Sequence, residues 1–224
     1  MSRSIRAKAC RIFPAPATSL GALAANTALL NPEKFTNKEV GVKWDILPRL
    51  QFTAAIYQLD RQNTRAADPA RPSFFIATGA SRARGFEARL SGYVTDSWQV
   101  QGGFAHTDAK FVSTTSTALA GNRLQLVPQN TFSLWNRYNF TQQIGAGFGA
   151  IHQSSAFAAV ENAVRLPGFT RVDAAVFVQI TERIKAQLNV EDIFNTRYYA
   201  SVDGNNNITP GSPRAGRLTI TGTF

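Results

Sequence analysis

Thr170-Arg-Val-Asp-Ala-Ala-Val-Phe-Val-Gln-Ile180, then Thr181-Glu-Arg183, then Ile184-Lys-Ala-Gln-Leu-Asn-Val-Glu191, is the stretch on which the fold turns. Val172, Ala174, Val176, Val178 and Ile180 fall on one side of a period-two alternation, with Asp173 and Gln179 on the other. After three polar residues the alternation resumes, Ile184, Ala186, Leu188 and Val190 against Lys185, Gln187, Asn189 and Glu191. Two strands joined by so short a connection form an antiparallel hairpin, with one apolar face and one face too charged for a dry core.

Seven further segments repeat the pattern. Val40, Val42, Trp44 and Ile46 alternate with Glu39, Lys43 and Asp45; Leu50, Phe52, Ala54 and Ile56 with Gln51, Thr53 and Tyr57; Phe86, Ala88 and Leu90 with Glu87, Arg89 and Ser91. Trp98, Val100, Gly102 and Phe104 oppose Gln99, Gln101 and Thr107, and Phe132, Leu134 and Tyr138 oppose Ser133, Trp135 and Arg137. A glycine-rich segment sets Ile144, Ala146, Phe148 and Ala150 against Gly145, Gly147 and Gly149, and the chain ends on Leu218, Ile220, Gly222 and Phe224 against three threonines.

The connections sort by length. Short joins fall at Ile46-Leu47-Pro48, Thr95-Asp96-Ser97, Thr141-Gln142-Gln143 and Thr181-Glu182-Arg183; long ones at about Arg61–Ser81, Phe111–Leu126, Gln153–Leu166 and Thr196–Gly216. Short turns at one end and long loops at the other are the habit of an outer-membrane barrel. Ten-residue strands rise about 33 Å and, tilted near 45°, span roughly 23 Å, close to the ~25 Å apolar band of such barrels. Aromatics gather at strand ends (Trp44, Trp98, Tyr138, Phe140, Phe169, Phe224), as an interfacial girdle requires. The expected fold is all-β, an antiparallel transmembrane β-barrel. A lipocalin-like soluble barrel or a sandwich shares the alternation and remains the alternative. Nine antiparallel strands cannot close without a parallel seam. Either residues near Leu20–Leu30 add a tenth strand, or the chain is the C-terminal part of a larger barrel.

Composition agrees. The 224 residues carry 24 Lys and Arg against 14 Asp and Glu, a formal charge of +10. Four of those cations, Arg3, Arg6, Lys8 and Arg11, stand in an acid-free N-terminal segment, leaving 20 against 14 beyond it. No dense basic run follows, so nucleic acid is not an expected partner. Cys10 is the only cysteine, so no internal disulfide forms. No apolar run approaches ~20 residues, so no transmembrane helix is expected. Residues 1–22 have the charge of a signal n-region, but Arg11, Pro14 and Pro16 break the apolar stretch that should follow, and the segment reads as disordered or aberrant.

No catalytic constellation emerges, and neither enzyme activity nor a cofactor is expected. His106 and His152 are isolated and read as strand-end residues rather than metal ligands. Gly145-x-Gly147-x-Gly149 lacks the helix of a phosphate loop and reads as backbone room in a tight wall. The loops are the candidate ligand surface. Arg61, Arg65, Arg71, Arg82 and Arg84 flank or occupy one long loop and would concentrate an anion, or contact lipopolysaccharide phosphates. Phe74, Phe75, Tyr198 and Tyr199 would pack aromatic ligand groups, or hold loops together.

The chain resembles the C-terminal barrel portion of a TonB-dependent outer-membrane receptor of the ferric-siderophore class. The resembling pieces run in family order: Leu30-Asn-Pro-Glu33 with Glu39-Val-Gly-Val-Lys43, Gly79 with Arg82-Ala-Arg-Gly-Phe-Glu87, and Val127-Pro128 with Asn130-Thr131. Leu166-Pro-Gly-Phe-Thr-Arg-Val-Asp173 and Leu188-Asn-Val-Glu-Asp-Ile-Phe-Asn195 with Tyr198-Tyr199 follow, then Pro210-Gly-Ser-Pro-Arg214 and a last strand ending in Phe224. The resemblance implies about nine to ten strands of a 22-stranded barrel over residues 23–224, with the plug domain absent. It implies TonB-dependent uptake of ferric siderophores across the outer membrane of a Gram-negative bacterium, by a truncated form. The implied partners are a ferric siderophore, outer-membrane lipid and lipopolysaccharide, and the barrel-assembly machinery, which would read Phe224. TonB would act only through the missing plug. The alternative function is a passive porin-like or adhesin-like barrel.

Overall fold

Prolines mark where strands begin. The computed structural model describes residues 31–67 and 75–223, with backbone alone for 66–67 and 75–78. The elements are β1 (Lys34–Leu47), β2 (Leu50–Ala67), β3 (Phe75–Tyr93), β4 (Trp98–Phe111), β5 (Asn130–Asn139), β6 (Ile144–Gln153), β7 (Ala156–Phe157), β8 (Arg165–Leu166), β9 (Phe169–Gln179), β10 (Ile184–Glu191), β11 (Tyr199–Asp203), β12 (Asn207–Pro210) and β13 (Ala215–Gly222). Pro32, Pro48, Pro128, Pro167 and Pro213 each stand two residues before a long strand. Proline cannot donate to a ladder, so it is kept out of the pairing and stops the preceding connection.

The nine expected strands are all present, in one sheet ordered β1-β2-β3-β4-β5-β6-β9-β10-β13, every seam antiparallel. The tenth-strand candidate near Leu20–Leu30 lies outside the described residues, as do residues 1–22 and Phe224. Among the described residues, β1 pairs only with β2 and β13 only with β10.

All four short joins are short, and three of them fall at the expected residues. Threonine opens each of these: the Thr95, Thr141 and Thr181 hydroxyls accept from the amides of Trp98, Ile144 and Ile184 at 3.0–3.1 Å. The β1–β2 turn falls at Pro48-Arg49. At the other end, one long join is shorter than its sequence suggests. β2 runs on to Ala67 and β3 starts at Phe75, leaving residues 68–74 as the connection, because register shifts around Thr64 break the alternation. Asn63 takes φ 59° there, a left-handed conformation that Asn tolerates at a bulge. Two other long joins carry small hairpins, β7–β8 and β11–β12.

The two faces differ as the alternation requires. Val40, Ile56, Leu218 and Ile220 on the apolar face are 62%, 64%, 64% and 66% exposed, far from the burial a water-soluble core would give them. Registers carry this face across the sheet, Val42 opposite Ala54, Phe104 opposite Phe132, Val176 opposite Leu188, and Leu188 opposite Leu218. Asn136 is a polar residue among the apolar rows, and the Trp98 indole N–H donates to its Oδ1 at 3.2 Å. The opposite face carries Glu39, Lys43, Glu87, Arg89, Arg137 and Lys185; there the Tyr57 and Thr107 hydroxyls hydrogen bond at 2.8 Å, and the Arg137 guanidinium sits 4.0 Å from the Phe177 ring. Trp135 also lies on this side, flat against β6. A Cβ on Gly147 or Gly149 would come within 2.6 or 2.5 Å of its indole, so the glycine row makes room for the ring.

The β10–β13 connection is tied down by a buried carboxylate. Asp192, 1% exposed with φ 52°, donates its amide to Asp173 Oδ1 at 2.8 Å and accepts the Thr196 amide at 2.9 Å. Asn195, also at φ 52°, accepts the Arg214 amide at 3.0 Å, so both ends of this long connection are pinned together. Asp173 in turn pairs with Arg171 at 2.9 Å.

Two predictions follow from the faces and the pin. In urea unfolding from phospholipid vesicles, Leu188→Arg on the apolar face destabilises by about 2–4 kcal/mol, whereas Gln187→Arg on the opposite face changes little. Equal cost at the two sites would contradict the face assignment. Asp192→Ala costs about 1–3 kcal/mol, with amide exchange at Thr196 and Arg214 quickening before the sheet opens.

Candidate functional site: the loop-bearing mouth

Two of the long loops are laced by one asparagine. Asn162, held at φ 59°, accepts the Arg123 amide at 2.7 Å and donates to the Arg123 carbonyl at 2.9 Å and the Ala159 carbonyl at 3.2 Å. Asn122 donates to the Val160 carbonyl at 3.0 Å, and the Leu126 amide to the Phe157 carbonyl at 2.9 Å. The Ala118, Ala158 and Ala159 side chains pack out of solvent beside these bonds. Asn205, from the β11–β12 hairpin, reaches Glu161 at 2.6 Å and joins a third loop to the pair. Nothing but the asparagine's tolerance of positive φ marks Asn162 in the sequence, and sequence reasoning passed over it.

Against this rim stands a cavity of about 400 Å³. Arg61, Arg65 and Ser81 from the β2–β3 hairpin line one side, and Phe111, Thr115 and Gln125 another. Arg61 is bidentate to Glu33, at 2.9 and 3.2 Å to the two sides of its fork, and its guanidinium lies 5.4 Å from the Phe35 ring. One of the cations meant for an anion is thus held in place, and half neutralised, by a carboxylate at 2.9 Å. No group of three or more His, Cys, Asp or Glu among the described residues could hold a metal ion.

The other expected site residues do not converge here. Arg82 and Arg84 lie on β3 within the regular ladder and share the apolar face's parity with Phe86, away from the cavity. Arg82 pairs with Asp60, and Arg84 Nε donates to Gln58 at 2.8 Å. They are strand residues on the wall rather than loop residues in the mouth, because β3 starts earlier than the alternation suggests. Arg71 and Phe74 lie outside the described residues, and of Phe75 only the backbone is described. Tyr198 stacks on Phe169 at 4.5 Å, receives Arg171 at 3.3 Å and is covered by Gly211, which occupies it in holding a loop to β9. Tyr199 is 46% exposed on β11. His106 bonds Asn130 at 2.7 Å and His152 bonds Thr170 at 2.8 Å, each joining neighbouring strands near the loop end.

The comparison with known proteins bears on all of this. The family model "TonB dependent receptor-like, beta-barrel" matches residues 2–193. The probable TonB-dependent siderophore receptor PiuA of Acinetobacter baumannii is 28% identical over 207 residues, 88% of this chain and 28% of that protein. The catecholate siderophore receptor Fiu of Escherichia coli K12 is 32% identical over 202 residues, 87% of this chain and 26% of that protein. The crystal structure of PiuA superposes with a TM-score of 0.81 over 88% of this chain and 29% of that chain, at 28% identity. The closed form of Fiu gives 0.80 over 94% and 30%, at 30% identity. The chain therefore spans less than a third of the relatives it matches. Members of this family are non-enzymatic transporters of the Gram-negative outer membrane. With its sheet, its face alternation and its motifs all in agreement, the chain belongs to the TonB-dependent receptor family and forms a C-terminal portion of its β-barrel.

Proposed function

We propose that this chain supplies wall and mouth to an outer-membrane receptor that takes up ferric siderophores, with anionic ferric catecholates as the ligand class. The observation that carries the reading is the loop-end cavity of about 400 Å³ with Arg61 and Arg65 in its lining. Guanidinium groups held over a hydroxyl-rich floor suit a chelate whose oxygen donors carry negative charge at its surface. Support also comes from the relative solved as a ferric-catecholate import receptor, 30% identical to this chain. The chain contributes binding and positioning, with no bond-making step. Energy coupling to TonB would reside in a plug and coupling segment outside residues 23–224, and Phe224 would serve recognition by the assembly machinery.

The test is ligand binding to the chain folded in detergent, followed by quenching of tryptophan fluorescence. A ferric catecholate binds, and Arg61→Ala or Arg65→Ala weakens it roughly tenfold. Glu33→Gln strengthens it severalfold by releasing Arg61. Indifference of all three variants, with no preference for the chelate over sugars or salts, would favour a passive barrel instead.

A further inference from the structure

Two claims meet on the guanidinium of Arg61. Across the inner face the register runs from Phe35 to Arg61, Ser81 and Phe111. Arg61, Ser81 and Phe111 line the mouth cavity of about 400 Å³. The same guanidinium forks Glu33, its Nη2 standing 2.9 Å from each carboxylate oxygen, with its centre 5.4 Å from the Phe35 ring. Among the described residues no aspartate or glutamate lines the cavity. The carboxylate that an incoming anion must displace from Arg61 is therefore Glu33.

Glu33 is the last residue before β1, and the start of that strand is lightly held. Among the described residues β1 has a ladder on one side only, to β2. That ladder begins with Lys34 opposite Gln62 and Phe35 opposite Arg61, next to the bulge at Asn63. Two side chains of β2 reach past its end. Asn63 Nδ2 donates to the Pro32 carbonyl at 3.0 Å, and Arg61 forks Glu33. The ionic tie is open to exchange, because the Arg61 and Glu33 side chains are 42% and 35% exposed. An ion pair so open to water holds weakly, and a multiply charged anion beside the guanidinium competes well against a single carboxylate.

We propose that Glu33 is a built-in competitor for Arg61, and that the pair is a latch released by the ligand. A multivalent oxyanion entering the mouth takes the guanidinium from Glu33. The fork and the Phe35 contact are then lost together, and Asn63 alone ties the segment ahead of the ladder. Occupancy of the mouth is thereby passed to the backbone that enters β1. The linkage runs both ways: the factor by which Glu33 weakens anion binding is the factor by which a bound anion loosens Glu33. A guanidinium suits this exchange because its planar fork fits a carboxylate or the paired oxygens of a chelate. The latch rests on the cavity being the ligand mouth, and adds to it a consequence for the chain.

The test is amide hydrogen exchange over residues 32–36, read by mass spectrometry on the detergent-folded chain. It is measured without ligand, with excess ferric tris-catecholate, and with pyrophosphate as an iron-free multivalent anion. Either anion speeds exchange there about threefold and leaves residues 187–189 unchanged. Glu33→Gln shows the fast exchange with no anion present, and neither anion quickens it further. Asn63→Ala also speeds exchange but keeps wild-type anion affinity, which separates competition for Arg61 from a general loosening of the strand end. If the catecholate fails to bind while pyrophosphate still speeds exchange, the siderophore reading falls and the latch stands. Exchange at 32–36 that ignores both anions would overturn the latch. So would wild-type exchange in Glu33→Gln, or further acceleration of that variant by either anion.

Discussion

Hydrocarbon offers no hydrogen bonds, and every other property of this sheet follows from that. An unpaired amide or carbonyl in a bilayer costs several kcal/mol, so a spanning strand must be bonded along its length on both sides. Eight antiparallel seams meet this demand inside the sheet. In the nine-stranded sheet the prolines stand on the approaches to strands, and the bulge around Asn63 is pushed out toward the loop end, past the last exposed apolar residue of β2. Once the backbone is satisfied by neighbours, side chains are free to follow the solvent on each face. An apolar face with side chains such as Val40, Ile56, Leu218 and Ile220 more than 60% exposed, and lysine, glutamate and arginine on the other side, is then a stable arrangement rather than an aggregation hazard. The outermost ladders of β1 and β13 carry the same demand beyond the described residues.

Much of this was legible in the sequence because period two is a direct consequence of strand geometry. Each of the nine alternating runs became a strand, and three of the four short joins fell where threonine opens them. What escaped was governed by something other than alternation. The outer halves of β2 and β3 are held by backbone pairing through an irregular register, so Gln62, Asn63 and Thr64 give no periodic signal. Arg82 and Arg84 were consequently read as part of a mouth when their parity with Phe86 already set them on the wall.

The site was less readable than the fold for a physical reason. A loop's geometry depends on contacts between distant segments, and only motif resemblance hinted at any of them. Leu188 to Asn195 stood out as a family signature, yet the work of Asp192 in accepting the Thr196 amide while donating to Asp173 becomes visible only in three dimensions. Tyr198 could have served a ligand or a loop by sequence; Phe169 and Arg171 claim it for the loop. The glycines of β6 make the opposite point, since the expected backbone room exists and its occupant is Trp135.

The bonds that Asn162 makes to Arg123, with Asn205 reaching Glu161, mean that three loops from different hairpins are stitched at two points. Such a rim cannot yield one segment at a time. Displacing any one of them drags its neighbours, so movement of this rim would be concerted, like a shutter whose leaves share a single pivot.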